Sequence, residues 1–332
     1  MINNPDVLFI VNSPFQCLCM FEAINHYSFS NYDVVFRPDS IKLNNEMVKR
    51  VLNEKGIVFS INRMHPVYDI FPLIFKKKKK YDVLFNGDYY SGGVYAYYFS
   101  ILSSKRHGSL IYFDDGVETL RAYSKPPQKR TLNMKYFGLH LFCKTVEWLK
   151  GIGKPRFFTI FDVESERFIT EHNDLTILRN KVAESNQRGV FIIGTNFDGI
   201  DVDKEEYFCL LTKLILYFQK KYPKEIIWYC PHRRNKDNEE LMKLLKDNNV
   251  SVFNTQITVE YDFVQKQIYP VHIAGFGSTA LYTLKNIFPE SVIDNVAMQL
   301  RNQTVVISAF DRLYEEQCKA KGIGLIEFNN EK

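Results

Sequence analysis

The sequence contains no long hydrophobic run and no basic leader. No stretch of about 18 uncharged apolar residues occurs, the length that a membrane-spanning helix requires. The N-terminus, Met1-Ile2-Asn3-Asn4-Pro5-Asp6, places no basic residues before its first short apolar run, which argues against a secretory signal. We therefore expect a cytoplasmic protein, with peripheral attachment to a membrane as the alternative.

Metal-binding and phosphate-loop patterns are weak or missing. Cys17 and Cys19 are the close pair among six cysteines, and a C-x-C pair alone is a weak metal signal. Most cysteines lie in apolar segments, which is typical of buried thiols in a reducing compartment. Gly151-Ile152-Gly153-Lys154 lacks the spacing and the Ser/Thr of a phosphate loop. We therefore expect no cofactor and no metal. The net charge of +5 comes without a nucleic-acid motif, so nucleic acid is not an expected partner.

Strand-like and helix-like segments alternate along most of the 332 residues. One series begins at Val7 and a second begins at Val190 after a polar stretch. This rhythm predicts two Rossmann-like α/β domains facing a cleft, each a parallel sheet with helices on both faces. The predicted domains are residues 1–187 and 188–332. Residues 167–188 are polar and are predicted to be helical.

Three polar segments follow predicted strands. They are Asp114-Asp115-Gly116, the turn Cys230-Pro231-His232-Arg233, and the Ser278-Thr279 pair after Gly275-Phe276-Gly277. The C-terminal ends of parallel strands line the binding crevice in such sheets. A carboxylate there can take a proton, an imidazolium can give one, and hydroxyls at a helix start can hold a phosphate. Each segment also has a structural alternative: a common turn, a polar turn before a helix, and a helix N-cap.

The order of these segments resembles that of the bacterial sialyltransferases. The chain is most similar to glycosyltransferase family 52, the lipooligosaccharide sialyltransferases, and a marine-bacterial sialyltransferase family shares the pattern. The opening segment Asn12-Ser13-Pro14-Phe15-Gln16 also resembles the start of family 52 proteins. Arg233 follows His232 where the family usually has a proline. The resemblance spans most of the chain and implies the glycosyltransferase B fold with cytidine monophosphate–sialic acid (CMP-sialic acid) as donor.

The resemblance also implies roles for individual residues. Asp115 would be the general base and His232 the general acid of a one-step, inverting transfer that needs no metal. The implied donor contacts are Ser278, Thr279, Glu260, Thr195, Asn196, Gly277 and Arg233. The implied acceptor-side or supporting residues are Asp114, Gly116, Asn12 and Gln16, joined by Asp88 because it follows a predicted strand. N-terminal residues 1–187 would carry the base and the acceptor side, and residues 188–332 would bind the nucleotide sugar.

The function that this resemblance implies is transfer of sialic acid to a bacterial surface glycan. The acceptor would be a hydroxyl, with galactose favoured, of lipooligosaccharide, O-antigen or capsule. Two alternatives stay open: another nucleotide-sugar transferase on the same fold, such as a glucosyltransferase, and a catalytically silent glycan- or nucleotide-binding module. Asp201-Val202-Asp203 matches the D-x-D pattern of metal-dependent glycosyltransferases, but the acidic residues after it indicate a helix cap.

The expected partners are the nucleotide-sugar donor and a glycan or glycolipid acceptor. Two basic segments indicate a further partner. Lys76–Lys80 is a run of five lysines, and residues 135–150 are basic and aromatic. Such segments are typical of peripheral contact with anionic lipid on the cytoplasmic face of the inner membrane, or of a solvated surface. The family resemblance also favours a homodimer.

Overall fold

The computed structural model describes residues 4–75, 78–87, 89, 93–114, 116, 118–124, 136–182, 188–197, 203–298 and 305–328. The chain divides into two compact units, Met1–Ile177 and Leu178–Lys332. The division lies ten residues before the boundary predicted from the sequence, 187/188. Every strand pair in either sheet is parallel, as the β-α rhythm predicted.

The described part of the N-terminal unit forms a seven-stranded sheet in the order β3-β2-β1-β4-β5-β6-β7. Its strands are β1 (Val7–Val11), β2 (Tyr32–Phe36), β3 (Phe59–Ile61), β4 (Tyr81–Asn86), β5 (Ser104–Phe113), β6 (Arg156–Thr159) and β7 (Ile169–His172). Its helices are α1 (Pro14–His26), α2 (Lys42–Glu54), α3 (Phe71–Phe75), α4 (Gly93–Ser103), α5 (Glu118–Ser124) and α6 (Phe137–Lys150). A short helical turn, Pro66–Ile70, precedes α3, and α7 (Thr176–Asn180) lies at the division between the units.

Side chains alternate between the two faces of this sheet and build a core on each. Leu8 and Tyr112 belong to the core that includes residues of α3, α4 and α6. Phe9 and Phe85 point to the other face, where their rings stack at 4.8 Å between centroids. Tyr27, directly after α1, packs on Phe85 at 5.8 Å. The sheet is therefore covered on both faces, as a parallel sheet requires.

The predicted helix over residues 167–188 is wrong. Residues 169–172 form β7, which pairs with β6, and within this stretch the described helix is limited to Thr176–Asn180. β7 lies at the end of the sheet and is only partly buried, so it lacks an apolar alternation that would mark it in the sequence. Glu171 holds this strand in place by an ion pair with Arg156 and a hydrogen bond from Tyr27.

The described part of the C-terminal unit forms a six-stranded sheet in the order β10-β9-β8-β11-β12-β13. Its strands are β8 (Val190–Ile193), β9 (Ile227–Cys230), β10 (Ser251–Val252), β11 (His272–Gly275), β12 (Val292–Val296) and β13 (Gly324–Ile326). Its helices are α8 (Lys204–Lys221), α9 (Glu239–Asp247), α10 (Val259–Gln265), α11 (Thr279–Ile287) and α12 (Val305–Ala320). The core contains Tyr207 of α8 against Phe197 and Phe276, with ring centroids 5.1 and 4.9 Å apart.

Cysteine burial and helix hydropathy both bear on expectations from the sequence. All six cysteines lie within the described ranges, and five of them are buried, as their apolar surroundings predicted. None of the helices in the described part of the chain is long and apolar enough to span a bilayer.

Candidate active site

The strand order of the N-terminal sheet reverses between β1 and β4, which creates a crevice at the ends of these strands. Ile10 of β1 pairs with Asn86 of β4, so the loops that follow leave the sheet at the same level. Gln16 joins these loops: its Oε1 accepts from the Asn12 N–H and its Nε2 donates to the Gly87 carbonyl, both at 2.8 Å. Gln16 is fully buried, and the supporting role that the resemblance implies for it stays a prediction.

Asp114 occupies the corresponding position after β5. Its carboxylate is fully buried and accepts from Thr159 Oγ1 at 2.6 Å and from the Ile160 N–H at 2.7 Å. Burial raises its pKa to about 6, although the hydrogen bonds from Thr159, Ile160 and Thr119 oppose the shift. Asp114 therefore fastens the end of β5 to the loop after β6.

The other acidic residues predicted for this unit's site, Asp115 and Asp88, lie outside the described residues. Gly116 has a φ of +64°, a left-handed conformation that favours glycine. Gly116 therefore lies in a turn, and the carboxylate of Asp114, the first residue of the segment, faces inward to the protein.

In the C-terminal unit, three predicted donor loops leave neighbouring strands at one level. The strand order reverses between β8 and β11, and Ile193 at the end of β8 pairs with both Cys230 and Gly275. Strands in a sheet lie about 4.8 Å apart. The loops that begin at Gly194, Pro231 and Phe276 therefore start side by side at the switch point of this sheet, where ligands bind in such folds.

His232 is partly buried in the middle loop of these three. Its Nδ1 accepts a hydrogen bond from the Arg234 backbone N–H at 3.3 Å, so the neutral ring carries its proton on Nε2. Burial, and then the positive charges of Arg233 and Arg234, lower the His232 pKa to about 4. The imidazolium that the sequence suggested at neutral pH is therefore disfavoured in the free protein.

The glycine loop after β11 opens into the N-terminus of α11. Gly277 has a φ of +62° and is exposed, and a Cβ placed there would meet no described atom within 4 Å. Its N–H donates to Asn295 Oδ1 at 2.8 Å, and Ser278 caps α11 by accepting from the Ala280 N–H. The hydroxyls of Ser278 and Thr279 thus lie where the helix dipole favours an anion.

Thr195 and Asn196 begin the loop after β8. Tyr207 accepts a backbone hydrogen bond from Thr195 and shares a hydroxyl–hydroxyl bond of 2.7 Å with Tyr229. Tyr207 therefore holds the loop after β8 directly, and Tyr229 holds Tyr207 in place. Asn196 Oδ1 is buried and has no hydrogen-bond partner among the described residues. Such an oxygen costs about 1–3 kcal/mol, which a ligand donor would offset.

Glu260 lies on α10, 5% exposed. Thr283 of α11 donates to its carboxylate at 2.6 Å, and Thr258 donates as well, while burial raises its pKa. The Thr283 contact fixes α10 against α11, whereas Thr258 is the N-cap of α10 itself. The ribose contact implied for Glu260 stays a prediction.

Four residues that support these loops were missed by sequence reasoning: Thr159, Tyr207, Asn295 and Tyr314. Asn295 orients the Gly277 N–H, and the Tyr314 hydroxyl donates to the Ser278 carbonyl at 2.7 Å. Asn295 could have been predicted from the sequence, because it is a polar residue near the end of a strand that follows the glycine loop. Tyr207 and Tyr314 lie in helices, where sequence alone does not show which strand end they reach.

Asp203, the second aspartate of the D-x-D pattern, is the N-cap of α8. Asp203 accepts from the Glu205 N–H at 2.9 Å at the start of α8, as the sequence predicted, whereas Asp201 lies outside the described residues. No group of three His, Cys, Asp or Glu side chains within the described ranges is arranged to hold a metal ion.

Comparison with solved structures gives similarity along nearly the whole chain, at low identity. No family model matches this sequence, and neither does any curated protein. The α/β-galactoside α-2,3-sialyltransferase of Photobacterium phosphoreum matches with a TM-score of 0.58 and 11% identity, over 97% of this chain and 99% of that one. The UDP-GlcNAc 2-epimerase of Methanocaldococcus jannaschii matches with a TM-score of 0.54 and 11% identity, over 98% and 89%.

A third structure, the UDP-GlcNAc 2-epimerase of Neisseria meningitidis bound to UDP-GlcNAc, matches with a TM-score of 0.50 and 14% identity, over 96% of this chain and 93% of that one. At these identities the similarity establishes the fold alone. The chain has two parallel-sheet α/β units and the glycosyltransferase B fold, as predicted. Membership of glycosyltransferase family 52 stays a prediction.

Proposed function

We propose that this protein is an inverting sialyltransferase that uses CMP-sialic acid and transfers the sugar to a glycan hydroxyl. The observation that carries the proposal is the convergence of three loops in the C-terminal unit. The His232 turn, the Thr195-Asn196 segment and the Gly277-Ser278-Thr279 loop start from strand ends that are paired in register. A solved sialyltransferase matches the fold over nearly both full chains, which supports the same conclusion.

Each loop would contribute a different part of donor binding. The N–H groups and hydroxyls at the start of α11 would hold the donor phosphate. The Asn196 carbonyl oxygen would accept from the ligand, since it has no described protein donor. Arg233 would add positive charge near the phosphate. His232 would then protonate the departing phosphate oxygen while Asp115 takes the proton of the acceptor hydroxyl.

A His232 ring that is neutral in the free protein can still act as the general acid if binding of the donor causes the ring to become protonated. A bound phosphate near His232 favours the imidazolium and raises its pKa. The acid would then be formed when the donor binds and would be absent otherwise. The attack occurs opposite the phosphate, so configuration at the anomeric carbon inverts in a single step.

The first test is calorimetric titration of the purified protein with CMP and, separately, with UDP, both in EDTA. Binding of CMP alone is expected. Binding of UDP alone would refute the sialyltransferase proposal and favour another nucleotide-sugar enzyme, a class that includes the two UDP-GlcNAc epimerases with the same fold. Binding of neither would favour the silent-module alternative.

The second test separates the role of His232 in binding from its role in the reaction. His232→Gln should still bind CMP but should lose at least about 100-fold in turnover of CMP-sialic acid with a galactoside acceptor, the usual contribution of a general acid. His65→Asn is the matched control. His65 begins the helical turn Pro66–Ile70, where its Nδ1 accepts from the Val67 N–H at 3.2 Å, and asparagine can also cap. Equal turnover in both variants would exclude His232 as the acid.

A further inference from the structure

Helix α6 exposes an apolar face where a surface helix normally carries polar residues. Five large side chains lie on this face, each between 41% and 78% exposed: Phe137, Leu141, Phe142, Trp148 and Leu149. We name them the outer α6 face. Lys144 lies at its edge, where it pairs with Glu147 at 2.8 Å. At 3.6 residues per turn, Phe137, Leu141 and Trp148 form one stripe, and Phe142 and Leu149 form another beside it.

The opposite face of α6 packs against the rest of the N-terminal unit. Leu139 and Cys143 are buried in the core of the N-terminal unit. Lys150 also points inward, donating from Nζ to the carbonyls of Ile101 at 2.7 Å and Ser104 at 2.6 Å. Burial lowers the pKa of Lys150 to about 8. The outer α6 face is therefore an additional apolar surface beyond the one that the core requires.

More exposed aromatic side chains lie on the same side of the sheet. Tyr68, in the helical turn Pro66–Ile70, and Phe75, at the end of α3, are 77% and 83% exposed. Both the turn and α3 contact α4, and α4 contacts α6. Tyr68 and Phe75 therefore belong to the same helical layer of the N-terminal unit as α6.

Positive charge is concentrated in the segments that carry this surface. Residues 63–80 contain six Lys or Arg and one acidic residue, and residues 135–154 contain four lysines and one acidic residue. Their combined formal charge is +8, whereas the whole chain carries +5. The rest of the protein is therefore net acidic. Two of these lysines are engaged within the fold, Lys150 with backbone carbonyls and Lys79 with Asp6 and Asp33, and the two segments remain net basic without them.

We propose that the outer α6 face, with Tyr68 and Phe75, is a docking surface for an anionic lipid bilayer. Apolar side chains flanked by lysines are the arrangement that inserts into the interfacial region of such a bilayer. Tryptophan favours this region because its ring is apolar and its N–H is polar. Pairing of two identical copies through this face is disfavoured, because a twofold interface would bring the two basic segments together.

The two tryptophans of the chain allow a direct test. Trp228→Phe leaves Trp148 as the single tryptophan, which is excited selectively at wavelengths where tyrosine does not absorb, and phenylalanine can retain the stacking on Phe191. The probe is a set of vesicles of phosphatidylethanolamine with phosphatidylglycerol, beside vesicles of phosphatidylcholine alone. With the anionic vesicles we expect co-sedimentation and a blue shift of Trp148 emission. With neutral vesicles both effects should be much weaker.

A pair of matched variants tests which surface binds. Leu141→Ser/Leu149→Ser keeps the Trp148 reporter and should weaken vesicle partition at least about tenfold, given the apolar area removed. Leu216→Ser/Leu325→Ser changes two leucines of similar exposure in the C-terminal unit and should leave partition unchanged. As a control for folding, the thermal unfolding temperature of each variant is compared with that of the wild type.

Three outcomes would overturn the proposal. One is the absence of binding to anionic vesicles, and another is equal binding to both vesicle types. The third is a blue shift that appears with protein concentration alone, together with a dimer mass in sedimentation, which would assign the surface to a second copy. CMP binding is titrated in the same samples. It tests the proposed sialyltransferase function, so failure of vesicle binding and failure of nucleotide binding can be told apart.

Discussion

Replacing Asp114 with asparagine should make the stability of the N-terminal unit less dependent on pH. Asp114 is fully buried and accepts from Thr159 Oγ1 and the Ile160 N–H. Its pKa is raised from 3.8 to about 6, chiefly by burial. The folded protein therefore binds the Asp114 proton more tightly than the unfolded chain does.

The direction and size of the effect follow from this difference. The stabilising contribution of Asp114 is fully present below the unfolded pKa and is lost as pH rises through the folded pKa. A shift of about two units corresponds to about 3 kcal/mol. Roughly half of that change falls between pH 5 and pH 8. Asparagine does not titrate, and its NH2 group would face one of the two donors, Thr159 Oγ1 or the Ile160 N–H, so the variant should be less stable at pH 5.

The assay is hydrogen exchange of peptides from β5 and β6, read by mass spectrometry at pH 5, 6.5 and 8 and corrected for intrinsic exchange rates. The opening free energy of these peptides should be higher in the wild type at pH 5. The gap between wild type and Asp114→Asn should shrink by about 1.5 kcal/mol at pH 8. Thr159→Val is the control, because it removes a donor and keeps the titrating carboxylate, so it should retain the pH dependence.

A gap that stays constant within about 0.5 kcal/mol across this range would refute the reasoning, given the expected change. It would mean that the Asp114 carboxylate stays ionised without a net cost, so its hydrogen bonds compensate fully for burial. A gap that grows with pH would reverse the sign and place the folded pKa below 3.8.

Three other substitutions test single contacts. Arg234→Gln removes a nearby positive charge, so the His232 pKa should rise above about 4 in an NMR titration; an unchanged pKa would rule out the charge as a cause. Gly194→Ala places a Cβ 2.3 Å from Tyr229 Oη, which should cost about 1–3 kcal/mol in thermal unfolding; wild-type stability would contradict that close approach. Ser278→Ala should lose about 1 kcal/mol as an N-cap and also weaken CMP binding, whereas Ser278→Gly should cost little stability. If Ser278→Gly binds CMP as the wild type does, the hydroxyl acts only as a cap.

Local patterns in the sequence were sufficient for the parallel architecture. Apolar runs near Val7, Val190 and His272 predicted strands, and the helices between them required parallel pairing. Because parallel strands place their C-terminal ends at one edge, the sequence also predicted that the loops after β8, β9 and β11 would begin together. The paired positions Ile193, Cys230 and Gly275 agree with that expectation.

The edge of the N-terminal sheet was harder to predict. Three of the four residues 169–172 are polar, and the strand they form is only partly buried, so its formation depends on β6 as a partner. The sequence pattern of α6 was also ambiguous, because apolar residues occur on both of its faces. Which face is buried depends on α4 and β5, since Lys150 donates to the carbonyls of Ile101 in α4 and Ser104 in β5.

The sequence by itself determined the two α/β units, the parallel pairing and the positions of polar residues at strand ends, because these depend on local periodicity and turn chemistry. Only the tertiary structure decided that Asp114 turns inward, that Gln16 joins two loops, and that burial lowers the His232 pKa. These properties depend on burial and on neighbours distant in the chain, such as Thr159 and Gly87, so no local segment encodes them.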